Sequence, residues 1–405
     1  MEKIYGIFNG ELAYNAANKK EEILMKRTMK KMVSMALTGT MAVAVLAGAG
    51  TSEVKAADKA KIGVLVADVS GEEAQGFRSY YENYIAGNYD VEFNYTDALQ
   101  SAEDEKTAIE KFASQGCQAI ISFSSNDRVQ QIETCEKYGV YYAVASGVLD
   151  DAQYETYKTY EYFAGQVGPG NDTEFEAGKD MGAYYKEQGV SKVAIYGAFI
   201  PNPMHVYRVA GVLNGLGCTY GGESDMNAIA GQIFQDQTVD LSKVEGDVEV
   251  VSYLQGYGDT TTDELNAAIQ KTPDAFISVG MATTFFAQSL SEAGISFSDI
   301  DSFTETNGNS MKNGTLTYLA GKYSSSIGPV FALVMNAING NVIRDEDGNA
   351  PSISQGYLVA TDSDTFDKYS VSDSGDAPIY DKETLDSIIG DNVTFEDVKT
   401  LVESK

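Results

Sequence analysis

The chain has 405 residues, with 29 lysines and arginines against 59 aspartates and glutamates, a formal charge of −30 at pH 7. Such acidity excludes a nucleic-acid surface and favours solubility. One histidine excludes His-rich metal centres, and three cysteines do not make a disulfide scaffold.

The first stretch reads as a targeting segment. Lys26, Arg27, Lys30 and Lys31 form a basic start, residues 32–50 are apolar and small without charge, and Val54-Lys55-Ala56 is a cleavage site. Residues 25–56 are therefore expected to be a signal peptide, with the mature chain starting at Ala57. An uncleaved membrane anchor is the competing reading, since the segment is long enough to span, although Ala, Gly and Thr dilute it. No cysteine near the cleavage site offers a lipid acceptor. Residues 1–24 do not suit a signal. Lys20-Glu21-Glu22 can be encoded by AAGGAGGAG, a ribosome-binding sequence just before Met25, so 1–24 are expected to be translated leader. The roughly 350 residues beyond the signal exceed one ordinary core and suit two lobes.

Residues 62–66 are an apolar, β-branched run that ends in Asp68-Val69-Ser70-Gly71-Glu72-Glu73. Ser70 is a candidate N-cap for a helix running through Phe77, Tyr81, Tyr84 and Ile85, and the two glutamates suit its first turn. A run apolar on both faces suits a parallel strand covered by helices. The unit then repeats. Residues 91–95, 119–123 and 140–145 read as strands, with helices over 102–115 and 129–138 and a stop at Gly139. This rhythm predicts an α/β fold with a parallel sheet and right-handed crossovers.

A Gly/Pro-rich stretch follows strand-like residues 162–167 and opens a helix containing Gly178 and Gly182. The rhythm then restarts. Strands are expected over 192–196, 248–254 and 275–279, and helices over 207–216, 263–270 and 283–293. Ala210, Gly211 and Gly215 allow close packing. Residues 219–244 read as an irregular insertion. Strand-like segments at 301–304 and 315–319, a helix over 328–338, a turn-rich hairpin over 340–351 and a strand over 356–361 complete the pattern. The tail from Asp362 is polar with two short helical patterns. Cys117 opens a strand and Cys135 closes the next helix, so either a bridge or two buried thiols fits.

Two successive α/β halves behind a secretory signal, with the turns of residues 61–77, 119–147 and the VGPGNDTEFEAGKDMG stretch from Val167 to Gly182, resemble the type I periplasmic-binding-protein family, the solute receptors of sugar ABC importers similar to ribose- and galactose-binding proteins. The resemblance covers about residues 60–370 and implies two Rossmann-like lobes, each a parallel sheet flanked by helices. It implies a three-segment hinge near 165–168, 322–324 and 355–357. The N-terminal lobe would be 60–164 with 325–355, and the C-terminal lobe 168–322 with 357–405. Hinge closure around a small ligand would present a docking surface to an ABC permease.

Carried across by motif, the resemblance places Ser70, Gly71, Glu72, Glu73, Phe123, Ser124, Asn126 and Ser146 of the first lobe against the ligand. From the second lobe it places Met204, His205, Arg208, Gly280, Met281, Thr283, Glu305, Thr306, Asn307 and Lys322. Such amide, carboxylate and guanidinium groups suit a polar, uncharged, carbohydrate-like ligand. Glu72-Glu73 and Ser146-Gly147 stand where pentose and hexose binders often carry an aromatic pair and an Asp-Arg pair. Each residue also has a plainer reading: a helix cap for the glutamates, core for Phe123, a surface pair for Arg208 and a Lys322–Glu305 pair.

Enzyme chemistry finds little support. No G-x-S-x-G lies near His205. Gly321-Lys322 lacks the rest of a phosphate loop, and Gly168-Pro169-Gly170 is a poor dinucleotide fingerprint. A binding protein without cofactor or metal, monomeric and extracytoplasmic, is the expectation. Nucleosides or other polar metabolites, for which Lys322 speaks, are the alternative cargo. A histidine kinase or chemoreceptor is the alternative partner.

Overall fold

The computed structural model describes residues 59–373 and 377–405. The leader and signal expectations fall on residues 1–58 and lie outside the described residues. No helix among the described residues is long and apolar enough to cross a membrane.

In chain order the strands are β1 (Ala60–Leu65), β2 (Val91–Tyr95), β3 (Ala119–Ser122), β4 (Tyr141–Ala145), β5 (Phe163–Gly168), β6 (Lys192–Tyr196), β7 (Thr219–Tyr220), β8 (Val244–Glu245), β9 (Glu249–Leu254), β10 (Ala275–Ser278), β11 (Ser296–Ser302), β12 (Leu316–Lys322), β13 (Ser352–Ser354) and β14 (Leu358–Ala360). The helices are α1 (Glu72–Ser79), α2 (Ala102–Ser114), α3 (Arg128–Tyr138), α4 (Asp151–Tyr157), α5 (Asn171–Glu187), α6 (Pro203–Gly215), α7 (Met226–Asp236), α8 (Asp259–Gln270), α9 (Ala282–Ala293), α10 (Glu305–Lys312), α11 (Gly328–Ile338), α12 (Ser363–Asp373), α13 (Lys382–Asp386) and α14 (Phe395–Glu403).

Two six-stranded sheets organise them, ordered β13-β5-β4-β3-β1-β2 and β14-β12-β11-β10-β6-β9. Every pairing in the first is parallel, and the second is parallel except for β14. Ile62, Val64 and Leu65 of β1 and all of β3 and β10 are buried, as strands covered on both faces must be. This confirms the α/β, two-sheet reading.

Several elements differ from expectation. The insertion at 219–244 holds α7 and the small β7–β8 pair, with Tyr220 buried beneath them. Residues 340–351 form a turn closed by Asp345 on the Asn349 amide at 2.7 Å rather than a hairpin. The short helix α4 was not foreseen, although Asp150 and Gln153 form a full capping box at its start. Cys117, Cys135 and Cys218 are free and buried. Burial pushes the Cys117 thiol up to about 11.

The passages between lobes also shift. Residues 165–168 belong to β5, so the first passage follows Gly168. The tail does not stay with the second lobe. α12 packs there, Phe366 lying 5.3 Å from Phe303 and Asp367 pairing with Lys312 at 3.0 Å. The Tyr380 carbonyl, however, accepts from the Tyr80 hydroxyl at 2.6 Å, and the Ile388 carbonyl from Asn336 Nδ2 at 2.8 Å. Residues 380–405 therefore pack on the first lobe, and the chain passes between lobes a fourth time. Short polar helices carry no label for one lobe or the other, which is why the sequence did not reveal this.

α5 and α6 meet backbone to backbone. Gly178 and Gly182 lie against the carbonyls of Arg208 and Val212, and Gly211 and Gly215 against those of Phe175 and Lys179. Only glycine leaves room for that approach.

Candidate functional site: a cleft between the lobes

The loop after β1 is built on Asp68. Its carboxylate accepts from the Ser70 amide at 2.9 Å, the Ser70 hydroxyl at 3.0 Å and the Gly71 amide at 2.9 Å. The Ser70 amide above all, with the Ser70 hydroxyl and the Gly71 amide, holds that carboxyl below its ordinary range against the opposing effect of burial. Ser70 is thus turned back onto Asp68. Gly71, not Ser70, is the residue before α1, and no side chain caps that helix.

Glu72 and Glu73 reach the other lobe. Glu72 accepts from the Glu305 amide at 3.0 Å and the Thr306 hydroxyl at 3.1 Å, so it caps α10 rather than its own helix. Glu73 accepts from the Ser302 hydroxyl and faces Lys322 Nζ at 3.6 Å. Lys322 pairs with Glu73, not with Glu305. Glu72, Glu73, Glu305 and Lys322 line a cavity of about 140 Å³, together with Phe77, Ser302, Phe303, Thr304, Tyr323 and Ser324. A smaller space of about 20 Å³ adjoins it, where Phe77, Lys322 and Tyr323 meet Ser146 of the loop after β4 and Gly168, Gln355 and Tyr357 of the interlobe passages. Phe77 was read only as helix-face packing and Tyr323 not at all. Phe123 stacks on Phe77 at 5.4 Å and supports it from behind.

Ser124 and Asn126 face elsewhere. The buried carboxylate of Glu105 accepts from the Ser124 hydroxyl, the Asn126 amide at 2.9 Å, Asn126 Nδ2 at 3.1 Å and the Asp127 amide at 2.9 Å. Burial opposes the charge, but these donors hold the carboxyl below its ordinary range. Glu105 sits in the first turn of α2 and looked like a helix-start acid, so its role was missed. Glu105→Ala leaves four donors without their acceptor. Urea melts are expected to show a loss of about 1–3 kcal/mol; an unchanged midpoint would contradict this role.

Arg208 is no surface residue. It is 3% exposed, with Nε 2.6 Å from Glu174, Nη1 2.8 Å from the Val279 carbonyl and Nη2 2.7 Å from the Tyr357 hydroxyl. Burial works against its charge, but Glu174 and Tyr357 outweigh it and hold the guanidinium above its ordinary range. It ties α5, α6, the end of β10 and the β13–β14 passage together. His205 is also buried; its Nδ1 lies 3.2 Å from the Phe199 amide and 3.3 Å from the Phe199 carbonyl. Burial, then Arg208, push the imidazole down to about 3. Asn307 is buried, its Nδ2 donating to the Ser302 carbonyl at 2.7 Å, and the Thr283 amide donates to Asp299 at 3.1 Å. Met204 is half-buried in the first turn of α6, while Met281, with φ 69°, is exposed at the start of α9. None of these lines the 140 Å³ cavity.

Beneath the second-lobe wall lie Asp299, fully buried, and Asp301. Burial and then the neighbouring Asp301 raise Asp299, despite donors from Ser278, Thr283 and Ile300; burial and then Glu73 raise Asp301 against Asn307 and Lys322. A carboxyl that holds its proton more tightly when folded stabilises at acid pH, and that contribution is lost as pH rises out of the usual carboxylate range. His205 acts in the opposite sense and cancels when two proteins that both contain it are compared. The melting temperature of Asp301→Asn minus that of the wild type is therefore expected to grow as pH rises. A difference independent of pH would rule the coupling out.

No protein-family model matches this chain, and no curated protein does. Solved structures do. The periplasmic binding protein of an ABC transporter from Actinobacillus succinogenes, with bound D-allose, aligns at TM-score 0.58 and 16% identity over 77% of this chain and 100% of its own. The arabinose-transporter binding protein from Shewanella sp. ANA-3, bound to L-arabinofuranose, aligns at TM-score 0.55 and 16% identity over 77% and 95%. The Caulobacter myo-inositol binding protein aligns at TM-score 0.55 and 14% identity over 77% and 96%. A likeness at such identity is one of fold: this chain has the two-lobed fold of the type I periplasmic binding proteins.

Proposed function

We propose that this protein is an extracytoplasmic solute receptor that captures a carbohydrate-like molecule between its lobes and delivers it to an ABC importer. The observation that carries this reading is the cleft itself. Carboxylates on one lobe face an ammonium, hydroxyls and a helix start on the other, around a cavity floored by Phe77 and Tyr323. Hydroxyl groups of a sugar can replace each of those polar contacts, and an aromatic ring can cover its apolar face. The fold relatives that hold arabinofuranose, allose and myo-inositol support the same class of cargo. The fold relatives that are binding components of transporters support binding rather than catalysis. The proposed site residues are Glu72, Glu73, Ser302, Glu305 and Lys322, with Ser146 toward the hinge.

The test is a thermal-shift panel of monosaccharides, polyols, amino sugars and nucleosides. A ligand at about 100 times its dissociation constant stabilises the folded state by roughly 2.7 kcal/mol. A sugar or polyol hit, weakened about tenfold or more in Glu73→Gln or Lys322→Met through loss of a charged hydrogen bond, is the expected result. A hit confined to nucleosides would replace the carbohydrate reading.

A further inference from the structure

The carboxyl edge of the second sheet changes character across its width. At β12 and β11 stand Lys322, Ser302 and Glu305 of the cavity. Met281 follows β10, Phe199 follows β6 and Tyr257 follows β9. Tyr257 is 68% exposed and Phe285, in the first turn of α9, is 38% exposed. Their rings are parallel to within 1° with centroids 5.8 Å apart, and Phe199 meets Tyr257 edge-on at 5.4 Å.

Tyr257 is held out deliberately by the backbone. Gly256 and Gly258 on either side have φ of 74° and 138°, values that favour glycine. The Gly256 amide donates to the Ala198 carbonyl at 2.6 Å, and the Gly256 carbonyl accepts from the Tyr196 hydroxyl at 2.9 Å. Three of the non-glycine residues with positive φ, Ser146, Ala198 and Met281, lie just past β4, β6 and β10 on the same carboxyl edges. Such conformations persist where the surrounding structure over-determines them, and they cluster at ligand clamps. Among the described residues, Tyr257, Met281 and Phe285 are three of the six exposed large hydrophobic side chains.

We infer that Phe199, Tyr257, Met281 and Phe285 form an outer subsite on the same sheet edge as the cavity, and that the cargo is an oligosaccharide rather than a single sugar. From β12 to β9 is four strand spacings, about 19 Å, several times the width of one pyranose ring. One sugar unit occupies the polar inner cavity. The next units lie across the aromatic shelf, their axial C–H faces against the exposed rings and their hydroxyls in water. A half-open shelf suits this repeat of apolar face and wet edge. A nucleobase, apolar on both faces, would call for enclosure. The inference rests on the carbohydrate reading of the same cleft.

The test is calorimetric titration of the full-length protein with xylose, arabinose, glucose and galactose and with the corresponding di- and trisaccharides. Affinity is expected to rise along one ladder. In Tyr257→Ala and Phe285→Ala the advantage of the trisaccharide over its monosaccharide is expected to fall about tenfold. Tyr138→Ala, which removes an exposed ring on α3, serves as the control and should keep that advantage. Monosaccharide binding with no gain along its ladder, or a gain untouched by both substitutions, overturns the subsite and leaves the carbohydrate reading standing. Silence across the panel overturns both.

Discussion

Arg208→Met is expected to cost about 3–5 kcal/mol of folding stability, the usual consequence of removing one partner from a buried ion pair. The guanidinium satisfies Glu174, a backbone carbonyl and a phenol that all lie out of water. Without it the Glu174 carboxylate keeps only the Tyr357 hydroxyl, at 2.9 Å. The double variant Arg208→Met with Glu174→Leu should recover much of the loss, because the stranded charge goes too. Chemical denaturation of the four proteins in the cycle reads this directly. A near-zero coupling energy, or a loss of sugar affinity in Arg208→Met with stability intact, would return Arg208 to the ligand.

Gly211→Val is the second large effect. Any β-carbon at this position meets the Phe175 carbonyl across the α5–α6 seam. The helices must separate or the backbone must bend, and a branched side chain placed inside a helix–helix contact costs about 3 kcal/mol, near the upper end for overpacking. Gly231→Val gives the comparison, since a β-carbon there meets nothing within 4 Å. Equal destabilisation of the two would mean that helix propensity, not the seam, is responsible.

The α/β rhythm was legible because buried parallel strands are short runs such as Ala119-Ile120-Ile121 that leave few other assignments. The glycine seam was legible for a similar reason: Gly178, Gly182, Gly211 and Gly215 sit at helical spacing. The cleft was only partly so. Glu72, Glu73, Glu305 and Lys322 stood at strand ends where the fold brings loops together. Ser124 stood at an equivalent end and Arg208 in the helix after one, yet their partners, Glu105 and Glu174, lie on other helices. Burial inverts the meaning of such residues, and nothing in one sequence reports it. Phe77 and Tyr323 were obscured by the opposite effect, since an apolar residue lining a cavity has the same helical or strand spacing as one in the core.

The first lobe carries a further consequence. Its sheet opens with β1 but closes with β13, its helical cover includes α11, and residues 380–405 lie over it. α1 continues through a π-helical turn, Tyr80–Ile85, whose Tyr80 and Tyr81 hydroxyls bond the carbonyls of Tyr380 and Ile327. The helix that presents Glu72 and Glu73 is therefore fastened by segments that follow the strands of the second lobe in the chain. The second lobe has its five parallel strands in hand once β12 is made. The lobe begun first is thus completed only after the second, and the cleft wall that carries Glu72 and Glu73 depends on residues that follow the whole of the second sheet.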